Sequence, residues 1–190
     1  MRDYAVFAVQ HPELSYLPSE ATVLASSLNC EPIIGNITEQ MIRQFLRGKT
    51  VGGLYIGSHA TSEGIMLSDG LMTPESLAGI ISNSIVEGGW LFVPTCYGDD
   101  FMHRIQRGAT VDVITSISGE LPDKNAWSFV ANIADSIRRN GPDIYQAWWN
   151  TRAQAAANFR FWPHPDARKN RMDYQNSNGT KATLEYLRRE

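Results

Sequence analysis

The sequence has few of the features that mark secreted or membrane proteins. It holds only two cysteines, Cys30 and Cys96, which is too few for a secreted fold held together by disulfides. No stretch reaches the roughly 18 apolar residues that a membrane helix needs. The start, MRDYAVFAVQ, lacks the long apolar run of a signal peptide. We therefore expect a cytoplasmic protein with no membrane contact.

An excess of charge of either sign is also missing. The chain carries 17 basic and 20 acidic residues, for a formal net charge of −3. This balance gives no general attraction to nucleic acid or to anionic membranes. Arginines in the C-terminal half give it a local basic bias, which we interpret as a solvated face. Nucleic acid is therefore not an expected partner.

Short β-rich apolar runs alternate with helical patterns along the chain. This order predicts an α/β fold with a mainly parallel sheet and helices on both of its faces. The predicted strands are Tyr4–Gln10, Pro32–Ile37, Val51–Gly57, Trp90–Thr95 and Val111–Ile117. The predicted helices begin at Ser19, Thr38, Thr73, Asp99, Ala126 and Pro142.

Two further segments have a distinct character. Short apolar runs on either side of Asp69-Gly70 predict a β-hairpin over Gly64–Met72. After Pro163 the composition becomes polar, so we expect one domain over residues 1–163 and a polar tail over 164–190, with at most a short terminal helix. No glycine-rich loop joins a strand to a helix, so no dinucleotide cofactor is indicated.

His59 and Cys96 are the residues most suited to chemistry. His59 follows the third predicted strand and Cys96 follows the fourth. Ends of parallel strands meet at one edge of a sheet, where sites are built. If these two strands are neighbours, the imidazole can take the thiol proton and the thiolate can attack a carbonyl. A helix beginning after Cys96 would favour the thiolate, and its N–H groups could bind an oxyanion. Alternatively, the two residues follow strands by chance.

The sequences around both residues narrow this choice. One stretch resembles the histidine block of caspase-like cysteine peptidases. It consists of Ile56-Gly57-Ser58-His59, followed by the predicted hairpin and a helix containing Leu77. Leu91 to Gly98, with Cys96 inside it, is similar to the cysteine block of that family. The spacing of 37 residues from His59 to Cys96 is also similar. The resemblance covers roughly residues 4 to 160 and is closest to the compact bacterial CHAT domains.

The resemblance implies a three-layer caspase fold, a Cys96–His59 dyad and no metal or cofactor. The N–H groups of Ala60 and Cys96 would form the oxyanion hole. By the same resemblance, four residues lie near the family's specificity pocket: Pro94, Asp99, Glu120 and Asp123. The three acidic residues favour a basic residue before the cleaved bond. Alternatively, they are solvated loop carboxylates with no role toward a substrate. In related bacterial peptidases a partner often switches activity on, so we expect an activating protein in trans.

Two departures from the family pattern leave a second function open. Ala60 stands where the family usually has Gly, and Pro94 brings neither charge nor a hydrogen-bonding side chain to the pocket. Both favour a catalytically weak or inactive adaptor that uses the same fold as a binding module. A flavodoxin-type ligand-binding domain is a third alternative, which the missing phosphate loop disfavours.

The other histidines suggest no site. His11 and His164 lie beside prolines in predicted loops, and His103 lies two helical turns beyond Cys96. No His and Cys residues have the spacing of zinc ligands. We therefore expect no metal centre.

Overall fold

The computed structural model describes residues 3–94, 104–105, 111–118, 123–158, 161–163, 171–175 and 181–187. Within these ranges, only the backbone is described for residues 115–118, 153–158, 161–163, 171–175, 181–185 and 187.

The described residues form eleven strands. Seven lie before residue 100: β1 (Asp3–Val9), β2 (Ile33–Gly35), β3 (Val51–Gly57), β4 (Ala60–Thr61), β5 (Gly64–Leu67), β6 (Gly70–Met72) and β7 (Ile85–Val93). The later ones are β8 (Asp112–Ser118), β9 (Phe161–Pro163), β10 (Arg171–Gln175) and β11 (Lys181–Leu187). The longer helices are α1 (Leu17–Leu28), α2 (Glu39–Leu46), α3 (Pro74–Ser84), α4 (Asp123–Asn140) and α5 (Ile144–Asn158).

One mixed sheet runs through the molecule in the order β2-β1-β3-β7-β8-β11-β10-β9. The first five strands of this order are parallel to one another. The last three are antiparallel to their neighbours. A separate antiparallel sheet contains β4, β5 and β6. The predicted α/β fold with a mainly parallel core is therefore confirmed.

Helices cover both faces of the sheet because alternate residues of each strand point to opposite faces. On one face, α1, α4 and α5 bury an aromatic layer. Edge-to-face rings link Tyr55, Phe92, Phe129 and Trp148 across it. On the other face, α2 and α3 bury a mainly aliphatic layer around Leu54, Ile56 and Leu91. The result is the three-layer arrangement that the sequence predicted.

Hydroxyl caps define two helix starts as predicted. The hydroxyl oxygen of Thr38 accepts a hydrogen bond from Met41 N–H at 3.1 Å. That of Thr73 accepts one from Ser76 N–H at 3.2 Å, with Pro74 as the first helical residue. These bonds satisfy backbone donors that have no partner inside a helix.

Other boundaries differ from the prediction. α1 begins at Leu17 rather than at a Ser19 cap, because Pro18 suits the first turn of a helix. β7 begins at Ile85, where the backbone turns from helical to extended (φ −103°, ψ 132°). α4 begins at Asp123, three residues earlier than expected. All three elements begin earlier than predicted and are therefore longer. Packing against the rest of the protein can hold residues in a helix or strand even where the local sequence does not favour it.

The C-terminal segment differs most. The sequence predicted a polar tail, and the structure instead places β10 and β11 in the main sheet. β11 pairs antiparallel with β8, with Tyr186 opposite Ile114. Tyr186 is buried against Trp148 and Tyr145, and its hydroxyl donates a hydrogen bond to Asp112. One buried aromatic ring and a long-range strand partner stabilise a segment that looks polar on its own.

Candidate active site at the carboxyl edge of the sheet

The strands before His59 and Cys96 are direct neighbours. β3 and β7 pair in parallel, with Leu54 opposite Leu91 and Tyr55 opposite Phe92. The condition that the sequence analysis set for a Cys96–His59 pair, that the two strands be neighbours, is therefore met, and both strands end at the carboxyl edge of the sheet. His59 follows two residues after β3. Cys96 comes three residues after β7 and lies, like Asp99 and Glu120, outside the described residues. Pro94, directly after β7, is partly exposed.

The predicted hairpin holds the backbone of His59. The carbonyl of His59 accepts a hydrogen bond from Met66 N–H at 2.9 Å. The buried hydroxyl of Ser58 donates to the carbonyl of Met66. β5 and β6 pair with Leu67 opposite Gly70, which confirms the hairpin and places its two-residue turn at Ser68-Asp69, one residue earlier than predicted. The position of the imidazole along the edge is therefore set by main-chain contacts.

Ala60 lies next to the imidazole in extended backbone. It pairs with Ile65 across the short β4–β5 ladder. Among the residues that the structure describes, Asn29 is the only non-glycine residue with a positive φ. The conformation at Ala60 therefore does not require the glycine that the family usually has there.

A loop over residues 10–16, after β1, brings two unpredicted side chains to His59. The rings of His11 and His59 meet edge to face with their centroids 4.6 Å apart. Oε2 of Glu13 lies 3.7 Å from Nε2 of His59. Both residues follow β1, and β1 pairs with β3. The shared-edge argument that selected Cys96 also applies to these two residues.

The environment of His59 favours the neutral imidazole. Burial lowers the pKa of His59 below its ordinary 6.5, and neighbouring His11 lowers the pKa further. The carboxylates of Glu13 and Asp123 act in the opposite direction and are outweighed. A neutral imidazole near neutral pH can accept a proton, which a general base must do.

Asp123 fastens the loop to α4. Its Oδ2 atom accepts hydrogen bonds from Tyr16 N–H at 3.0 Å and from the Ser15 hydroxyl at 3.4 Å. The sequence predicted Asp123 as a substrate-binding residue in a loop. The structure places it in the first turn of a helix, facing another loop. Its role toward a substrate stays a prediction.

A buried carboxyl lies in the core on the same side. Glu20, in the first turn of α1, is 0% exposed. It falls on the apolar stripe of α1, where its Oε2 atom accepts a 2.8 Å hydrogen bond from the Tyr55 hydroxyl. Burial raises the pKa of Glu20 to about 7. Near neutral pH this carboxyl is therefore poised between its two protonation states.

Cys30 serves as a contrast to a reactive thiol. Burial, followed by the charge of Glu31, raises the pKa of Cys30 to about 11. Its thiol therefore stays protonated and packs against the aromatic layer. Cys30 is therefore a packing residue.

Three side chains come close enough to share a metal ion. Ligand atoms of His11, Glu13 and His59 all lie within 4.8 Å of one another. The sequence predicted no metal centre because His11 has no zinc-ligand spacing to other residues along the chain. The pairing of β1 with β3 creates this cluster.

Comparison with known proteins identifies the architecture. The structure matches the crystal structure of caspase-1 from Spodoptera frugiperda with a TM-score of 0.62. The match covers 99% of this chain and 87% of the insect protein, at 12% sequence identity. The chain has a caspase-like fold. No protein-family model matches the sequence, and comparison with curated proteins also yields no match.

The caspase-like likeness concerns the fold, because 12% identity carries no residue-level correspondence. The CHAT-type subgroup and the roles of the individual residues therefore stay predictions. None of the described helices combines the length and apolar character needed to cross a bilayer.

Proposed function

We propose that the protein is a cysteine endopeptidase in which Cys96 is the nucleophile and His59 is the general base. The observation that supports this most directly is the parallel pairing of β3 with β7, the two strands that precede His59 and Cys96 in the chain, because the carboxyl ends of paired parallel strands share one edge of the sheet. The partly buried, neutral imidazole of His59 supports it as well. The caspase-like fold supports the class of enzyme.

The proposed reaction has two steps. His59 takes the proton from the Cys96 thiol, and the thiolate attacks the carbonyl carbon of the substrate peptide. His59 then protonates the leaving amine as the C–N bond breaks, which leaves a thioester on Cys96. Water, deprotonated by His59, attacks the thioester and releases the acid and the thiol. The N–H groups of Ala60 and Cys96 would stabilise the oxyanion in both steps.

Specificity and activation belong to the same proposal. Acidic groups at Asp99, Glu120 and Asp123, with Pro94 alongside, would select a basic residue before the cleaved bond. An activating protein would act in trans. The Oδ2 atom of Asp123 already accepts hydrogen bonds from the loop over residues 10–16. Asp123 would therefore favour a basic substrate residue through its negative charge at a distance rather than by direct contact.

An adaptor without peptidase activity is the second candidate. The observation that favours it is Pro94, which directly follows β7 and adds no hydrogen-bonding side chain where the family's pocket maps. Such an adaptor would keep the fold and bind its partner through the same edge.

A covalent probe separates the two candidates. The protein is incubated with peptidyl acyloxymethyl ketones that end in Arg, Lys or Asp, alone and in concentrated sulfate, which favours compact states. The adduct is located by peptide mass spectrometry. We expect modification of Cys96 by the Arg and Lys probes, and its loss in His59→Ala.

Cys30→Ser is the matched control and should label like the wild type. Equal labelling of Cys96 by all three probes would remove the basic preference and keep the dyad. If Cys96 is not modified under either condition, or if His59→Ala labels as fast as the wild type, the peptidase proposal is wrong and the adaptor is favoured.

A further inference from the structure

The surroundings of His59 contain two groups that the peptidase mechanism does not use, the imidazole of His11 and the carboxylate of Glu13. Together with His59 they bring two imidazoles and one carboxylate to one place from two separate chain segments. Two histidines with one carboxylate form a common ligand set for zinc. The cluster therefore differs from an ordinary group of surface acids, which offers oxygen ligands alone.

The distances suit a tetrahedral ion. Zinc binds imidazole nitrogen and carboxylate oxygen at about 2.0–2.2 Å, so ligand atoms around one ion lie about 3.4 Å apart. Nε2 of His59 and Oε2 of Glu13 are 3.7 Å apart. The full set lies within 4.8 Å, so closure around one ion needs movements of about an ångström. The side chain of Glu13 is 77% exposed and has room to adjust.

A second observation points to a ligand at this place. Nε2 of His59 is buried and makes no hydrogen bond. A buried polar atom without a partner costs free energy that an added ligand can recover. Glu13 faces this atom at 3.7 Å, which is too long for a hydrogen bond and open to a bridging cation.

The segments that carry these ligands are held in place from both sides. Gln10 N–H donates to the Gly35 carbonyl at 2.9 Å, and Asp123 fixes the other end of the loop. The hairpin fixes His59 through Met66. Nδ1 of His11 accepts a hydrogen bond of 3.3 Å from Glu13 N–H, which holds these two residues next to each other. The backbone on both sides of the site is thus held in place.

We infer that His11, Glu13 and His59 form a binding site for Zn²⁺, and that the bound ion holds His59 in a form that cannot act as a base. The binding site depends only on the described geometry. The inhibitory consequence rests on the proposed function, because a lone pair given to the metal cannot accept the thiol proton. Zinc would thus act as a reversible brake on the peptidase.

Metal binding is tested first, without reference to catalysis. The metal-free protein is titrated with Zn²⁺ against a chromophoric chelator, and with Co²⁺, whose absorption bands report ligand number. We expect one tight site per chain with a tetrahedral or five-coordinate cobalt spectrum. Loss of outer-shell contacts alone weakens metal sites 10–100-fold. His11→Ala, Glu13→Gln and His59→Ala should therefore each weaken binding at least about tenfold.

Two control variants make this test specific. Glu63→Gln changes an exposed carboxylate on the hairpin side of His59 and should bind Zn²⁺ like the wild type. Cys96→Ala should also bind normally. Loss of binding in Cys96→Ala with normal binding in His11→Ala would assign the metal to a thiol–imidazole pair and overturn the site. Absence of a one-to-one site would overturn it as well.

Activity is the second readout. Labelling of Cys96 by the preferred probe is measured in chelator and in Zn²⁺, and each variant is compared with its own chelator rate. We expect at least tenfold slower labelling of the wild type in Zn²⁺, and a much smaller ratio in His11→Ala. Tight binding without slower labelling would disprove the brake and leave the site. Tight binding with no labelling in chelator would reject the peptidase proposal and again leave the site.

Discussion

His59 lies between two segments that differ in kind, the loop over residues 10–16 and the hairpin over residues 60–72. The hairpin contacts His59 through its main chain and buries the apolar side chains of Ile65, Leu67 and Met72. The loop contacts the ring with ionisable side chains and leads into α1, which carries the buried Glu20. One side therefore sets where the imidazole lies, and the other sets its protonation.

The position of the imidazole and its protonation are therefore controlled by different segments, although the same residues often control both at an active site. Changes in the hairpin should lower stability and rate without moving a pH profile. Changes on the loop side should alter responses to pH with little loss of packing. The four variants below test the division, in order of decreasing effect.

Gly64→Ala should have the largest effect. A Cβ atom at Gly64 would lie 2.3 Å from the carbonyl oxygen of Met72, so the β5–β6 ladder must open. A backbone clash of this kind costs about 3 kcal/mol or more of unfolding free energy, measured by urea denaturation. The rate of probe attachment at Cys96 should fall at least tenfold, because the hairpin no longer holds His59.

Gly79→Ala is the matched control. No atom lies within 4 Å of a Cβ built at Gly79, which is inside α3. Replacing a helical glycine by alanine should stabilise the protein by up to about 1 kcal/mol. Equal effects of the two substitutions would contradict the role assigned to the hairpin.

Glu20 should make stability depend on pH. Its pKa is raised from 4.5 to about 7 in the folded protein, so the folded state binds the proton more tightly. Protonated Glu20 therefore stabilises the folded state. This stabilisation is complete below the unfolded-state pKa of 4.5, and it is lost as pH rises through about 7. Between pH 5 and pH 8 the loss is on the order of 2.5 kcal/mol, measured by urea denaturation at both values. Glu20→Gln should remove that difference.

An apolar core variant provides the control for Glu20. Ile56→Val in the aliphatic layer should lower the free energy of unfolding by about 1 kcal/mol at both pH values. Ile56 packs in a cluster of apolar residues, so its truncation should not change with pH. If Glu20→Gln keeps the full pH slope of the wild type, the slope comes from other groups and the assignment to Glu20 fails.

Ser58→Ala should have a smaller effect confined to positioning. The buried hydroxyl donates to the Met66 carbonyl, and its removal leaves that acceptor without this bond, at about 1.5 kcal/mol. We expect a several-fold lower kcat with an unchanged acid limb of the pH–rate profile. Ser62→Ala, in the exposed turn, should stay within about 0.5 kcal/mol of the wild type. A shifted acid limb in Ser58→Ala would break the division proposed here.

Glu13→Gln should have the smallest effect on stability and a directional effect on pH. The Glu13 carboxylate raises the pKa of His59, so its neutralisation lets that pKa fall further. A base with a lower pKa stays neutral in more acidic solution, so the acid limb of the pH–rate profile should move to lower pH. The rates are measured in chelator, with Glu63→Gln as the control that should not shift. An opposite shift would show that another group sets the charge near His59.

The same two segments show what local sequence can and cannot predict. Asp69-Gly70 marks a tight turn to within one residue, so the hairpin could be predicted from sequence, although the turn itself lies at Ser68-Asp69. The adjacency of β3 and β7 stayed a condition at the level of sequence, because the order of strands in a parallel sheet depends on crossover connections and is shown only by the pairing itself. His11 and Glu13 were missed because the pairing of β1 with β3 joins residues that are far apart along the chain.

Glu20 and β11 illustrate the remaining gap. Glu20 is one of the buried residues on the apolar face of α1. Because it is a charged residue, the sequence pattern did not assign it to that face. β11 was missed because the polar run before it hid a two-residue alternation, in which Ala182, Leu184 and Tyr186 are the apolar positions. In both cases the partner that stabilises the residue belongs to a distant element.

The late position of β11 also has a consequence for synthesis on the ribosome. During synthesis β7 is made just before β8, so β8 can pair with it at once. Its other neighbour, β11, spans Lys181–Leu187 and is made much later. The nascent chain must therefore keep one side of β8 uncovered while α4 and α5 are still being made. A strand edge left open in this way invites pairing with other chains. Chaperone protection during translation would thus matter most for this interval.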